Sequence, residues 1–131
     1  MKHLDNFTRA YIECALWSSY DNSVGYRDED PLDKNHSIDD IDEETLGKMA
    51  QDCKKFQEEN QSILEVLESP NPHYSVEEIA GHDFWLTRNG HGAGFWDGNW
   101  PELEGNQLTD ASIKYGEFNL YVGDDGKIYG N

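Results

Sequence analysis

Seven positions, Leu46, Met49, Cys53, Phe56, Asn60, Ile63 and Leu67, recur at alternating steps of three and four. At about 100° per residue this spacing draws one stripe along a helix, which commits the middle of the chain to a long amphipathic helix with one face to bury. Ser37 and Asp42 are the alternative starts, and Ser69-Pro70-Asn71-Pro72 is the stop, because proline can neither continue a helix nor let the preceding residue do so freely. Glu44, Glu58 and Glu65, seven or fourteen residues apart, fall away from the stripe and give the helix a wet acidic edge. The heptad spacing lasts barely three repeats and includes Asn60, which favours packing within one domain over a dimeric coiled coil.

The flanking sequence supplies partners for that stripe. Phe7, Tyr11, Cys14, Ala15 and Ser18 share helical spacing behind Asp5, an N-cap residue, and predict a first helix over 5–18. Residues 19–36 carry polar, glycine, proline and acidic residues without a period and read as a long loop. Ser75 with Glu78 three residues on is a capping box, and Asn89-Gly90 is a stop, so 76–89 reads as a helix. Pro101 and Thr109 are possible starts for a short helix carrying Leu108, Ala111, Ile113 and Tyr115. Phe118, Leu120 and Val122 then alternate inward with Glu117, Asn119 and Tyr121 outward. The turn Gly123-Asp124-Asp125-Gly126 leads into Lys127-Ile128-Tyr129, which completes a β-hairpin. A lone hairpin is marginal in water, so its apolar face must pack on the helices. The expectation is one α+β domain over residues 1–131, helix-dominated with about four helices and a C-terminal hairpin.

Charge constrains what such a domain can bind. Twenty-seven acids face ten bases for a formal charge of −17, more than solubility requires, while sixteen aromatic residues (5 Phe, 7 Tyr, 4 Trp) argue against a disordered chain. Direct nucleic-acid binding would need a concentrated basic patch, and Lys54-Lys55 is the only adjacent pair of bases. The charge is uneven: residues 21–80 hold 17 acids and 5 bases, whereas 81–131 hold 8 and 3. A basic protein is therefore the expected partner. The carboxylates expected to face it are Asp28, Glu29, Asp30, Asp39, Asp40, Asp42, Glu43, Glu44, Glu58 and Glu65. They do not follow the spacing of a calcium loop.

Cys14 and Cys53 fall on core-facing helix positions without metal-ligand spacing and read as reduced packing residues. With no charged, apolar leader and no stretch near the roughly 18 apolar residues of a membrane span, the expected location is the cytoplasm, away from membranes.

The segment richest in potential chemistry is Gly81-His82-Asp83-Phe84-Trp85-Leu86-Thr87-Arg88-Asn89-Gly90-His91-Gly92-Ala93-Gly94-Phe95-Trp96-Asp97. A helical wheel puts Val76, Ile79, Ala80, Leu86 and Thr87 inward with Asp83 among them, and a buried carboxylate needs donors. The Gly90–Gly94 amides or Arg88 could supply these, so that Asp83, Arg88, His91 and Trp96 form a structural motif tying an aromatic loop onto the helix. The alternative is a small metal-dependent hydrolase using His82, Asp83, His91 and Asp97: Glu78 and His82 lie one turn apart, and the loop could bring His91 and Asp97 near them as metal ligands. The His82-Asp83 pair also occurs in metal-dependent phosphohydrolases, whose further spaced histidines have no obvious counterpart here. His82 or His91 could act as a base oriented by Asp83, but no serine or cysteine stands in a nucleophile motif. No phosphate loop follows His-Gly-Ala-Gly, and no cofactor is expected. Trp85, Phe95, Trp96 and Trp100 have two readings, packing or an exposed anchor for a partner, with packing favoured for most of them.

Four segments carry a resemblance: Tyr11-Ile12-Glu13-Cys14-Ala15-Leu16-Trp17, Pro31-Leu32-Asp33-Lys34-Asn35, the run from Gly81 to Asp97, and Leu120-Tyr121-Val122-Gly123-Asp124-Asp125-Gly126-Lys127-Ile128-Tyr129. Together they resemble a family of small acidic proteins encoded by bacteriophages and plasmids. The resemblance implies a mobile-element accessory protein that binds a host DNA-handling or defence protein, as some small acidic phage proteins do by mimicking DNA. It implies no catalytic residue.

Overall fold

The computed structural model describes residues 4–21, 30–91 and 93–131. Helix α1, Asn6–Ser18, begins where Asp5 accepts a hydrogen bond from the Thr8 amide at 2.8 Å. Such a cap satisfies an amide that the first turn leaves open and contributes about 1 kcal/mol. Its inward face, Phe7, Tyr11, Cys14 and Ala15, is buried as the spacing predicts. Beyond it, Leu32–Lys34 and Ile38–Asp40 form short 3-10 turns, and Tyr20 bridges Pro31.

Both candidate starts for the long helix are used, for different elements. Ser37 forms a capping box with Asp40 at the second 3-10 turn, whereas Asp42 caps α2, Glu43–Glu59, by accepting from the Glu44 and Thr45 amides. The helix is shorter than the stripe predicts. It ends at Asn60, whose side-chain amide donates to the Phe56 carbonyl at 2.9 Å, and a separate turn, α3, covers Gln61–Leu64. An amide that bonds backbone competes with the helix ladder, and here the buried Asn60 turns the stripe into a helix and a corner.

Helix α4, Val76–Arg88, has the capping box: Ser75 accepts from the Glu78 amide and Glu78 accepts from the Ser75 amide, each at 3.1 Å. Its other end is a Schellman motif. Gly90 sits at φ 69°, its amide donating to the Thr87 carbonyl and the His91 amide to the Leu86 carbonyl. Helix α5, Glu102–Ile113, starts after Pro101. Leu108 is buried, while Ile113, expected on the apolar side, is exposed. The strands β1, Leu120–Val122, and β2, Ile128–Gly130, pair antiparallel with Val122 opposite Ile128. Ile128 also bridges Ile41, and its carbonyl accepts from the Asp42 amide at 2.8 Å, which fastens the hairpin to the start of α2. The architecture is a helix-dominated α+β domain with one hairpin. None of the described helices is long and apolar enough to cross a membrane.

The core is an aromatic stack between α1, α2 and α4. Phe56 and Phe84 stack at 4.1 Å, Tyr11 meets Trp85 edge-on at 5.3 Å, and Phe95 closes on Phe56 at 6.0 Å. Helices α1 and α4 touch backbone to backbone at Gly81, where a Cβ would lie 2.1 Å from the Phe7 carbonyl oxygen.

Cys14 and Cys53 are free and buried. Burial pushes both thiols well up from their ordinary range, and the Asp83 charge adds to the effect on Cys14. Because the thiolate is the reactive form, neither should be alkylated in the folded protein at neutral pH, while both should be in denaturant. Mass spectrometry after brief labelling reads the outcome directly, and fast native labelling of either would contradict it.

Candidate functional site

Asp83 is buried at 5 % exposure, as its place on the wheel requires, but its partners differ from those expected. The Trp100 indole Nε1–H donates to Asp83 Oδ2 at 2.7 Å, and His82 Nδ1 lies 3.4 Å from Oδ1. Among the described residues, neither the Gly90, His91 and Gly94 amides nor Arg88 is involved. Five residues along a helix turn Arg88 about 140° away from Asp83, which puts it on another face. The aromatic loop is tied to α4 by Thr87, whose hydroxyl accepts from the buried Phe95 amide at 3.1 Å, and by Trp100 on Asp83. Asp97 serves the bend itself, accepting from the Gly94 and Asn99 amides at 3.3 and 3.4 Å. His91 takes part through its backbone, and Trp96 is 52 % exposed, so neither side chain belongs to a packed motif.

Arg88 is instead the centre of a buried network on the opposite side of α4. Nη1 donates to Asp52 Oδ2 at 2.9 Å and to the Tyr11 hydroxyl at 3.0 Å. Nε donates to the Gly116 carbonyl at 2.8 Å and Nη2 to the Tyr115 carbonyl at 3.1 Å. Phe84, Tyr115 and Phe118 place their rings 5.6 to 5.7 Å from the guanidinium carbon. Asp52 receives Lys48 as well, at 2.8 Å. The sequence carries a signal for Asp52: it lies three residues after Met49 and four before Phe56, on the buried face of α2.

The expected partner-facing carboxylates separate into three kinds. Asp28 and Glu29 lie outside the described residues. Asp30, Asp40 and Asp42 are engaged, by Lys34 at 3.2 Å, by the Ser37 amide at 2.8 Å and by the α2 cap respectively. Asp39, Glu43, Glu44, Glu58 and Glu65 are exposed. Along α2 these do not make a continuous strip. Lys48 and Lys55 fall within about 40° of Glu44 on the helix surface, so the acids form one group at the start of α2 and another about 21 Å away at Glu58.

A cleft of about 660 Å³ lies elsewhere, between α1 and α4. One face of α1, Ala10, Glu13, Cys14 and Trp17, and one face of α4, Glu78, Ile79, His82, Asp83 and Leu86, form it at the three-to-four spacing of a shared helical side. Pro70, Asn71, Pro72 and Tyr74 bound one edge, and Ala93, Asp97 and Asn99 the other. Trp17 stacks on His82 with ring centroids 5.7 Å apart. Three of the four candidate metal ligands, Glu78, His82 and Asp97, therefore reach the same cleft, and His91 does not line it. Among the described residues no three histidine, cysteine or acidic side chains are grouped to hold a metal ion.

Compared with known proteins, the chain matches no family model, no curated protein and no solved structure.

Proposed function

We propose that the protein acts by binding a basic protein surface, as a mobile-element accessory protein that occupies the DNA-binding face of a host or defence protein with carboxylates in place of phosphates. The observation that supports this is where the charge sits. Among the described residues only Asp21, Asp52 and Asp83 are buried acids, so the negative field of the chain points almost entirely outward. Three of its cations are already held by carboxylates, and Arg9, Lys54, Lys55, Lys114 and Lys127 are the others among the described residues. Arg88 is buried against Asp52, and Lys34 and Lys48 are held by Asp30 and Asp52. The groups at Asp39, Glu43 and Glu44 and at Glu58 and Glu65 are free of ion pairs among the described residues and available to a partner. The metal-hydrolase alternative has no comparable support, because its candidate ligands share a cleft without converging.

Such binding is electrostatically steered and screened by salt. Proteins retained on the immobilised chain from a bacterial lysate at low ionic strength should be basic, and duplex DNA should displace them. Affinity should fall about tenfold or more on going to physiological salt. A complex indifferent to both salt and DNA would end this reading.

A further inference from the structure

Within the basic-partner reading, on which this inference rests, we propose that the cleft between α1 and α4 is a socket for an arginine side chain of the partner. The acidic groups at and beyond α2 border smaller hollows, of about 350 Å³ beside Asp39 and Glu43 and about 330 Å³ beside Glu58 and Glu65, and neither is lined by a tryptophan or tyrosine. The cleft is larger and differently lined: its walls carry Glu13, Glu78, Asp97 and His82, its floor holds Asp83, and no lysine or arginine among the described residues lines it.

Three features select arginine over a small cation or a neutral ligand. Trp17, already stacked with His82, and Tyr74 line the cleft yet remain 48 % and 54 % exposed, so each keeps aromatic surface of the kind a planar, weakly hydrated guanidinium stacks on. Ile79, Leu86 and the prolines offer apolar surface to the aliphatic stem of the side chain. Finally, three of the four carboxylates are positioned in advance. Glu78 is held by the Ser75 amide, Asp97 by the Gly94 and Asn99 amides, and Asp83 by Trp100, so little side-chain freedom is lost on binding. A volume of about 660 Å³ is in the range of sites that take such a group together with its neighbouring backbone.

The test compares two triple variants of equal charge. Glu13→Gln with Glu78→Gln and Asp97→Asn removes the charge of the walls while leaving Asp83; glutamine can keep the capping box, and asparagine can keep one of the two bend bonds, its amide nitrogen being no acceptor for the other. Glu43→Gln with Glu44→Gln and Glu58→Gln neutralises exposed acids elsewhere. Both are titrated at low ionic strength with a short peptide alternating glycine and arginine, and with its glycine-citrulline counterpart, following tryptophan fluorescence and anisotropy. The cleft triple should weaken arginine-peptide binding about tenfold or more and the α2 triple less than about threefold, since enclosed charge pairs couple more strongly than rim ones. Trp17→Leu, which leaves the net charge unchanged, should cost roughly threefold to thirtyfold. The citrulline peptide should not bind measurably. Circular dichroism confirms that each variant is folded.

Equal losses in the two triples would overturn the socket while leaving the basic-partner reading intact. Citrulline binding as tight as arginine would also overturn it. If the unaltered protein does not bind the arginine peptide even at low salt, the socket fails, and displacement of lysate proteins by DNA then decides the broader reading separately.

Discussion

Arg88→Met is expected to destabilise the fold by about 3–5 kcal/mol, the usual consequence of removing one partner from a buried ion pair. The size follows from what remains behind. Asp52 would stay buried with only the flexible Lys48 to neutralise it, and the Tyr115 and Gly116 carbonyls would lose the donors that hold them. The Tyr11 hydroxyl would lose its partner too. Against a total stability of roughly 5–15 kcal/mol this is a large fraction, and it should lower the melting temperature by roughly 10–20 °C. Arg88→Lys should recover only part of the loss, because an ammonium keeps the charge but cannot present the forked donors that reach three directions at once. Combining Arg88→Met with Asp52→Leu should be less harmful than Arg88→Met alone, since no charge is then left buried without its partner. Urea denaturation of the three variants measures each step, and an Arg88→Met protein as stable as the parent would show that the network contributes little.

Gly81→Ala has the second largest expected effect on the fold, and its sign separates two opposing contributions. Alanine is the better helix former by about 1 kcal/mol, so propensity alone predicts stabilisation. The added Cβ, however, would lie 2.1 Å from the Phe7 carbonyl oxygen, a backbone atom that moves only if α1 and α4 separate. Overpacking of this kind costs about 1–3 kcal/mol and sometimes more, and it should win. Gly47→Ala supplies the contrast. A Cβ there meets nothing within 4 Å, so that substitution should stabilise α2 by about 0.4–1 kcal/mol. Thermal melts of the pair should move in opposite directions, and a stabilised Gly81→Ala protein would refute the close helix contact.

The elements were legible in the sequence where local chemistry decides them. Asp5, Ser75 with Glu78, and Gly90 end or begin their helices where those residue types predict, and Phe118 and Leu120 face inward from the tail. What escaped was decided by tertiary context. Asn60 keeps the period of the stripe but closes the helix, because its side chain finds backbone to bond. Arg88 and Asp83 look like neighbours along the chain, yet the turn of the helix sends them to different sides, one to Asp52 and the other to Trp100. The acidic edge expected from Glu44, Glu58 and Glu65 is interrupted by Lys48 and Lys55, and Glu65 lies beyond the end of α2. The cleft could not have been read from the chain, since it needs Glu13 and Asp97, which only the packing of α1 against α4 and the bend after Gly94 bring to one hollow.

The Arg88 network also bears on how the chain folds as it is synthesised. Tyr11 and Arg88 are 77 residues apart, and the carbonyls that complete the guanidinium come later still. The first helix therefore leaves the ribosome well before α4, its main packing partner, and before the last residues that lock the pair together. Contacts of such long sequence separation form slowly, and during the wait Phe7, Tyr11 and Ile12 have only part of their final cover. Residues 21–80, emerging in that interval, carry most of the negative charge. Mutual repulsion between nascent chains would then limit association until the core closes, a use of the acidity that is finished before any partner is met.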